Sequence, residues 1–394
     1  MKVAVIAGSA PPLSQGGVAS AHYNLFRFLR GNGLDARLFT HEDRSVPADD
    51  EPEILRALPL RGVAAVTRQA TALWFRLTDP GTAAYQLNDV LEWTSAAPAL
   101  RSNVSRFRPD VIIVPDRGAP LLWLDVPAHC RVIQVEHHNP ARFSSPLMLA
   151  MIPARRDIAL AVQLNQRALA KANVVVCPAH YMLEEFRKTY RFSGATMVIP
   201  HVIDDSAFDR IAPVSVATHL GLAHGTPVVY VPAGGSPVKG ERYVFALIQR
   251  LLKQRPELAF FISGTVSPLL REELDLSGVN ARVFAPGPLP WLENLALAAG
   301  CRVCLAPSLA ENFSMAILEA LRLGLPVASF DVGGNRDLVD DRCGELVPFL
   351  DLDGLASAAL RLVDRHDMAT AARERARDIQ RAAQTGWLEL VRAG

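Results

Sequence analysis

The chain has almost no net charge. Its 41 Lys and Arg residues against 40 Asp and Glu leave a formal +1 over 394 residues, so there is no electrostatic reason to expect a nucleic-acid partner. No apolar run approaches the roughly 18 residues of a membrane span. Cysteine is scarce and odd in number, five in all, which argues for a reducing compartment and against a disulfide framework. The one close pair, Cys301 and Cys304, lies in an apolar strand before Pro307 and has no matching second pair. It reads as two small hydrophobes rather than a metal or redox site. The G-x-G-x-x-G fingerprint is missing from the first strand–loop–helix unit, which disfavours a nicotinamide cofactor. No residue stands out as a covalent nucleophile. Met1 to Gly8 is too short for a signal peptide and reads directly as a strand. The expected location is cytoplasmic, with the inner face of a membrane as the alternative.

What is present fits two domains. Half the residues are hydrophobic and about a fifth are charged, enough for each half to bury its own core. The most informative stretch runs from Val303 to Asn335. Val303–Ala306 is a short strand stopped by Pro307-Ser308. A helix follows from about Ser314, with Met315, Ile317, Leu318, Leu321 and Leu323 at core-facing spacings. Asn312 or Ser314 caps it, and Gly324 and Pro326 end it. Val327–Phe330 is the next strand, leading to Gly333-Gly334. Amides at the helix N-terminus favour an anion such as a phosphate. Glu311 stands in the loop before that helix, and Glu319 is the only acid within it. A phosphate would repel a carboxylate, which is better suited to accept hydrogen bonds from sugar hydroxyls. A sugar nucleotide supplies both groups.

The spacing Glu311-x7-Glu319, then Gly324-Leu325-Pro326-Val327 and Gly333-Gly334, resembles the retaining glycosyltransferases of family 4. The resemblance implies the GT-B fold: α/β, two facing Rossmann-like, doubly wound domains with an interdomain cleft. It places an acceptor-side domain at 1–203, closed by a C-terminal helix at about 376–394, and a donor-binding domain at 204–375. It implies a nucleoside-diphosphate-sugar donor, UDP or GDP, a hydroxyl acceptor, and no cofactor or metal. Glu311, His137 and Lys239 are the implied catalytic residues. Glu311 would hold sugar hydroxyls, Glu319 the ribose, and His137 the sugar or acceptor, either orienting a hydroxyl or serving as an acid/base near neutral pH. Gly16 and Gly17, in a glycine loop after the first strand, would lie against the donor. Gly264 and Pro288 stand in loops that flank the base in the family. Asn312, Phe313 and Ser314 form the helix mouth. The base itself, the sugar, the acceptor and the oligomeric state are not legible.

The segment Gly234-Gly235-Ser236-Pro237-Val238-Lys239-Gly240 sits between a strand and a helix. Its amides and ammonium form a natural phosphate cradle; a plain glycine turn with a solvated lysine is the alternative. Family members carry an arginine five residues before the lysine, where this chain has Gly234. Arg242 or Arg336 could fill in. Where some members have another histidine, this chain has Asp116, so that role is absent or moved to Asp116. Pro200-His201-Val202-Ile203-Asp204 replaces the usual Pro-Asn-Gly-Val-Asp at the domain crossing, and residues 205–226 read as linker. Asp351-Leu352-Asp353 resembles a metal-binding D-x-D, but its place before a helix reads as a cap. Residues 60–77 mix Arg61, Arg68 and Arg76 with Val66, Leu73 and Trp74. They form either an ordinary half-buried amphipathic helix, the favoured reading, or a peripheral contact with an anionic membrane. Two rival functions remain open: a silent relative that binds a nucleotide or a partner protein, and a sugar-nucleotide epimerase.

Overall fold

The computed structural model describes residues 1–10, 16–41, 52–57, 60, 62–80, 82, 84–151, 154–234 and 237–393. The chain divides into two compact units, Met1–Ile203 with Ala382–Gly394, and Asp204–Arg381. Each unit is built on one parallel sheet. The first has β1 (Lys2–Ala7), β2 (Asp35–Thr40), β3 (Ile54–Arg56), β4 (Val111–Pro115), β5 (Arg131–Val135), β6 (Val174–Cys177) and β7 (Ala195–Val198), in the order β3-β2-β1-β4-β5-β6-β7. The second has β8 (Val228–Val231), β9 (Ala259–Ile262), β10 (Val283–Phe284), β11 (Val303–Ala306), β12 (Val327–Phe330) and β13 (Gly344–Val347), in the order β10-β9-β8-β11-β12-β13.

The strands are continuous apolar runs because helices cover both faces of a parallel sheet. In β1 the two faces separate by the two-residue period of a strand. Val3, Val5 and Ala7 pack with Leu25, Phe26 and Leu29 of the helix Gly17–Gly31. Ala4 and Ile6 face the other way, against Trp93, Leu100 and Val104 of the helix Gln86–Phe107. The C-terminal helix Met368–Arg392 is continuous, and its last turns join the first core through Trp387, whose indole N–H donates to the Pro200 carbonyl at 3.3 Å.

Strand order reverses beside β1 in the first sheet, between β2 and β4, and beside β8 in the second, between β9 and β11. Such reversals leave an open crevice at the carboxyl ends of the central strands, where ligands of doubly wound folds bind. Gly16, Gly17, Asp116 and His137 follow β1, β4 and β5; Gly234, Lys239, Glu311 and Gly264 follow β8, β11 and β9.

Two expectations are corrected. Residues 205–226 are not a linker: they hold the short helices Asp205–Phe208 and Val216–His219, and Phe208, Val216 and Ala217 are buried in the second unit. The Pro-, Ala- and Gly-rich composition misled because long-range contacts hold these turns: Asp205 and Asp209 pair with Arg322. The helix Val63–Thr78 is more exposed than a half-buried helix. Phe75 is enclosed, while Val66, Leu73 and Leu77 are 65%, 54% and 73% exposed. Arg61 lies outside the described residues. Among the described residues no helix is long and apolar enough to cross a membrane.

Candidate active site

In the second unit the site is assembled by the turn after β8 and the loop after β11. Gly240 makes this possible. Its φ of +77° is left-handed, and a Cβ there would lie 1.9 Å from the Pro307 carbonyl oxygen, so only glycine lets the turn close on that loop. The turn residue Lys239 is thereby delivered to Glu311, its Nζ donating to Oε1 at 2.7 Å. The lysine side chain is 36% exposed and the carboxylate 6%. Glu311 is further held from behind, its carbonyl accepting the Gly334 N–H at 3.2 Å. Beyond it the helix Met315–Leu323 starts at Ser314, whose hydroxyl accepts the Ile317 N–H at 3.4 Å, and closes at Gly324 with φ 88°. Asn312 is half-buried; Phe313 and Ser314 are buried.

Glu319 lies further along the same helix, so both acids stand on one loop–helix element. Its carboxylate is half-buried and accepts the Trp291 indole N–H at 2.9 Å. Burial pushes its pKa up to about 7, and the Trp291 hydrogen bond opposes that rise. Gly264 ends β9 with φ +90°, packed against Gly234. Pro288 is exposed before the helix Trp291–Ala299.

The cradle differs in part from the expectation. The Gly234 N–H already donates to the Ser263 carbonyl at 3.0 Å, so it is not an amide offered to a phosphate. A Cβ at Gly234 would sit 2.5 Å from that same oxygen and 2.8 Å from the Gly264 carbonyl carbon. The position where the family pattern has arginine is therefore closed to any side chain in this backbone. Gly235 and Ser236 lie outside the described residues. The two suggested stand-ins are already engaged: Arg336 pairs with Asp331, and Arg242 lies over the Tyr243 ring at 5.2 Å.

In the first unit Gly16 (φ 89°) precedes the helix that Gly17 opens. On the buried face of that helix, His22 meets His137, Nε2 to Nε2 at 2.8 Å, and the His137 ring stacks on His201 with centroids 4.7 Å apart. Burial drives all three pKa values down: His22 to about 4, His201 to about 3, and His137 well below its usual value, with the neighbouring imidazoles adding to the effect there. His137 is thus neutral at physiological pH, and the acid/base role near neutrality gives way to hydrogen bonding. The sign for stability follows. The unfolded chain binds these protons below pH 6.5 and the folded one does not, so stability falls as pH drops from 6.5 towards 4, by on the order of 1 kcal/mol per histidine per unit. Urea titrations at stepped pH will show this loss, and His22→Phe will lessen its slope by one histidine's share.

Asp116 does not stand in for a catalytic histidine. It is fully buried and accepts the backbone N–H groups of His137 at 2.9 Å, His138 at 3.0 Å and Asn139 at 2.8 Å. It is the bracket that bends the chain after β5 and aims His137. Burial raises the pKa of Asp116; burial and the Asp116 charge raise that of Glu136 beside it. His22 went unnoticed in the sequence. Its spacing with Leu25, Phe26 and Leu29 could have flagged burial, but nothing local names a partner 115 positions away.

The remaining motifs are structural. All five cysteines are buried free thiols. Asp351 accepts the Gly354 N–H at 2.8 Å as a helix cap. Among the described residues no group of three or more His, Cys, Asp or Glu side chains could hold a metal ion.

The comparisons with known proteins agree with this architecture. Residues 226–365 match the family described as glycosyl transferases group 1, and residues 15–207 match Glycosyltransferase Family 4. The chain belongs to this glycosyltransferase family. An MMP α-(1→4)-mannosyltransferase of Mycolicibacterium hassiacum is 28% identical over 144 residues, 35% of this chain and 34% of that protein. The match to this curated relative thus spans about a third of its length. Among solved structures, sucrose-phosphate synthase of Thermosynechococcus elongatus superposes with a TM-score of 0.78 at 18% identity, over 100% of this chain and 98% of the other. Anabaena HepE, in complex with UDP and glucose, gives 0.67 at 17% identity over the whole of both chains. At these identities the likeness establishes the fold, GT-B.

Proposed function

We propose that the protein transfers a sugar from a nucleoside-diphosphate donor, UDP or GDP, to an acceptor hydroxyl, with retained anomeric configuration and without a divalent metal. The observation that carries this reading is the Lys239–Glu311 pair beside the switch point of the second sheet. As the sugar–oxygen bond breaks, negative charge gathers on the leaving diphosphate. A fixed ammonium and a helix N-terminus stabilise it, a contribution usually larger than any other in such reactions. A pair whose lysine is a third exposed contributes only about 0–1 kcal/mol. Exchange of partners is therefore easy: Lys239 turns to the diphosphate, and Glu311 takes sugar hydroxyls. Glu319 accepts from the ribose. His137, neutral, hydrogen-bonds the sugar or the acceptor. The leaving phosphate takes the acceptor proton, so no second catalytic carboxylate is required. Family membership and the mannosyltransferase relative support transfer chemistry, and the UDP and glucose held by HepE support this donor class.

A silent nucleotide binder is favoured by one observation, the closure of Gly234 to an arginine. The presence together of Lys239, Glu311 and Glu319 weighs against it. A panel of UDP-, GDP- and ADP-sugars, with and without acceptor extract, separates the readings. Turnover that needs acceptor, survives EDTA and retains the anomer supports transfer. Turnover without acceptor identifies an epimerase, and binding without turnover a silent relative.

The exposed row Val66, Leu73 and Leu77, with Arg76 on the same helix, supports peripheral contact with an anionic lipid surface. Leu73→Glu with Leu77→Glu is expected to abolish co-sedimentation with phosphatidylserine vesicles and leave soluble-donor binding unchanged.

A further inference from the structure

We infer that Trp291 is the positioning residue that fixes the Glu319 carboxylate for the donor's ribose. The inference rests on the donor-site reading above and deepens it. Trp291 opens the helix Trp291–Ala299 after Pro290, and its ring is held edge-on by Phe208, with centroids 5.8 Å apart. Phe208 is fixed in turn: the Arg322 guanidinium lies 5.6 Å from its centroid and is anchored by Asp205 and by Asp209, the latter at 2.6 Å. The indole is thus oriented by packing before any ligand arrives. Its only polar group, the N–H, donates to Glu319 Oε1 at 2.9 Å. An indole donates one hydrogen bond and accepts none, so what it can give a carboxylate is orientation. Among the described residues no other group donates to this carboxylate, so Oε2 and the remaining lone pairs can take hydroxyl donors.

The same bond governs ionisation. Glu319 faces the Trp291 N–H and the Tyr230 phenol, which burial keeps protonated and whose oxygen lies 3.3 Å from both Ser263 Oγ and Asn294 Nδ2. Burial raises the Glu319 pKa to about 7 even with the indole in place. Without the indole N–H the carboxyl holds its proton to higher pH, and a protonated carboxyl is a poorer acceptor for ribose hydroxyls. The residue was invisible in the sequence because an exposed aromatic after a Pro-Leu-Pro run has many uses.

The experiment is calorimetric titration of whichever of UDP and GDP binds, and of its 2′-deoxy counterpart, from pH 6 to 9. It compares the wild type with Trp291→Phe, which keeps the ring and loses only the donor, and with Glu319→Ala. The wild type should prefer the ribose form about tenfold above pH 7, as one charge-assisted hydrogen bond supplies. In Trp291→Phe that preference should be largely lost at pH 7 and regained by pH 9, its acid limb moved up by about one unit. A merely structural tryptophan would not move a pH profile. A Trp291→Phe profile that overlays the wild type, with the preference lost in Glu319→Ala, overturns this inference and leaves the donor reading intact. A preference that survives in Glu319→Ala, or failure of both nucleotides to bind, overturns both.

Discussion

Lys239→Ala is expected to lower kcat/KM for sugar transfer by about 10²–10³-fold, the loss seen when one preorganised donor is removed from a developing anion. The turn after β8 presents this ammonium, and the usual companion arginine is absent because Gly234 leaves no room for it. In the proposed reaction one cation carries work that the family pattern divides between two. The fold should barely register the change. The lysine is 36% exposed, and such pairs contribute about 0–1 kcal/mol. The substitution leaves the nearly buried Glu311 carboxylate without its ammonium partner. Adding Glu311→Gln to Lys239→Ala relieves that orphaned carboxylate and should not restore activity. Steady-state kinetics beside thermal melts check both halves; a drop in activity matched by a collapse in stability would show that the lysine holds the fold instead.

Asp116→Ala is expected to be the most destabilising single substitution in the first unit, by about 3–5 kcal/mol, as when a buried charged group is removed from its partners. Three buried backbone N–H groups, of His137, His138 and Asn139, lose their acceptor, and each buried orphan costs about 1–3 kcal/mol. Against a total stability of about 5–15 kcal/mol, this is a large share of what holds the fold. Asp116→Asn, which keeps one acceptor oxygen, should fall between. Urea unfolding of the three proteins is the measurement, and a change below about 1 kcal/mol for Asp116→Ala would mean the loop after β5 is held by other contacts.

Much of the fold was legible because parallel strands buried on both faces leave plain runs. Val303–Ala306 and Val327–Phe330 stand in the structure where their apolar stretches put them. Edge and polar elements were harder. β3, whose three residues are all only partly buried, has no such run. The helices of 205–226 are short, and the first is tied through Asp205 and Asp209 to Arg322, more than a hundred positions away. The site divides in the same way. Lys239, Glu311 and Glu319 carried local cues, a glycine turn and a helix start. The partners that set their chemistry carried none, since Trp291, His22 and the Asp116 bracket are defined only by contacts across the fold. Gly234 shows the converse: its glycine was visible, but the carbonyl of Ser263 that forbids any other residue was not.

The proposed donor site grips a nucleoside diphosphate in the second unit through Lys239 and Glu319. Titration calorimetry with UDP and with GDP, on the wild type, Lys239→Ala and Glu319→Ala, tests it most directly. The prediction is that at least one nucleotide binds the wild type, and that each substitution weakens it by at least about tenfold, about 1.4 kcal/mol. Unchanged affinity in both variants, or no binding of either nucleotide to the wild type, would contradict it.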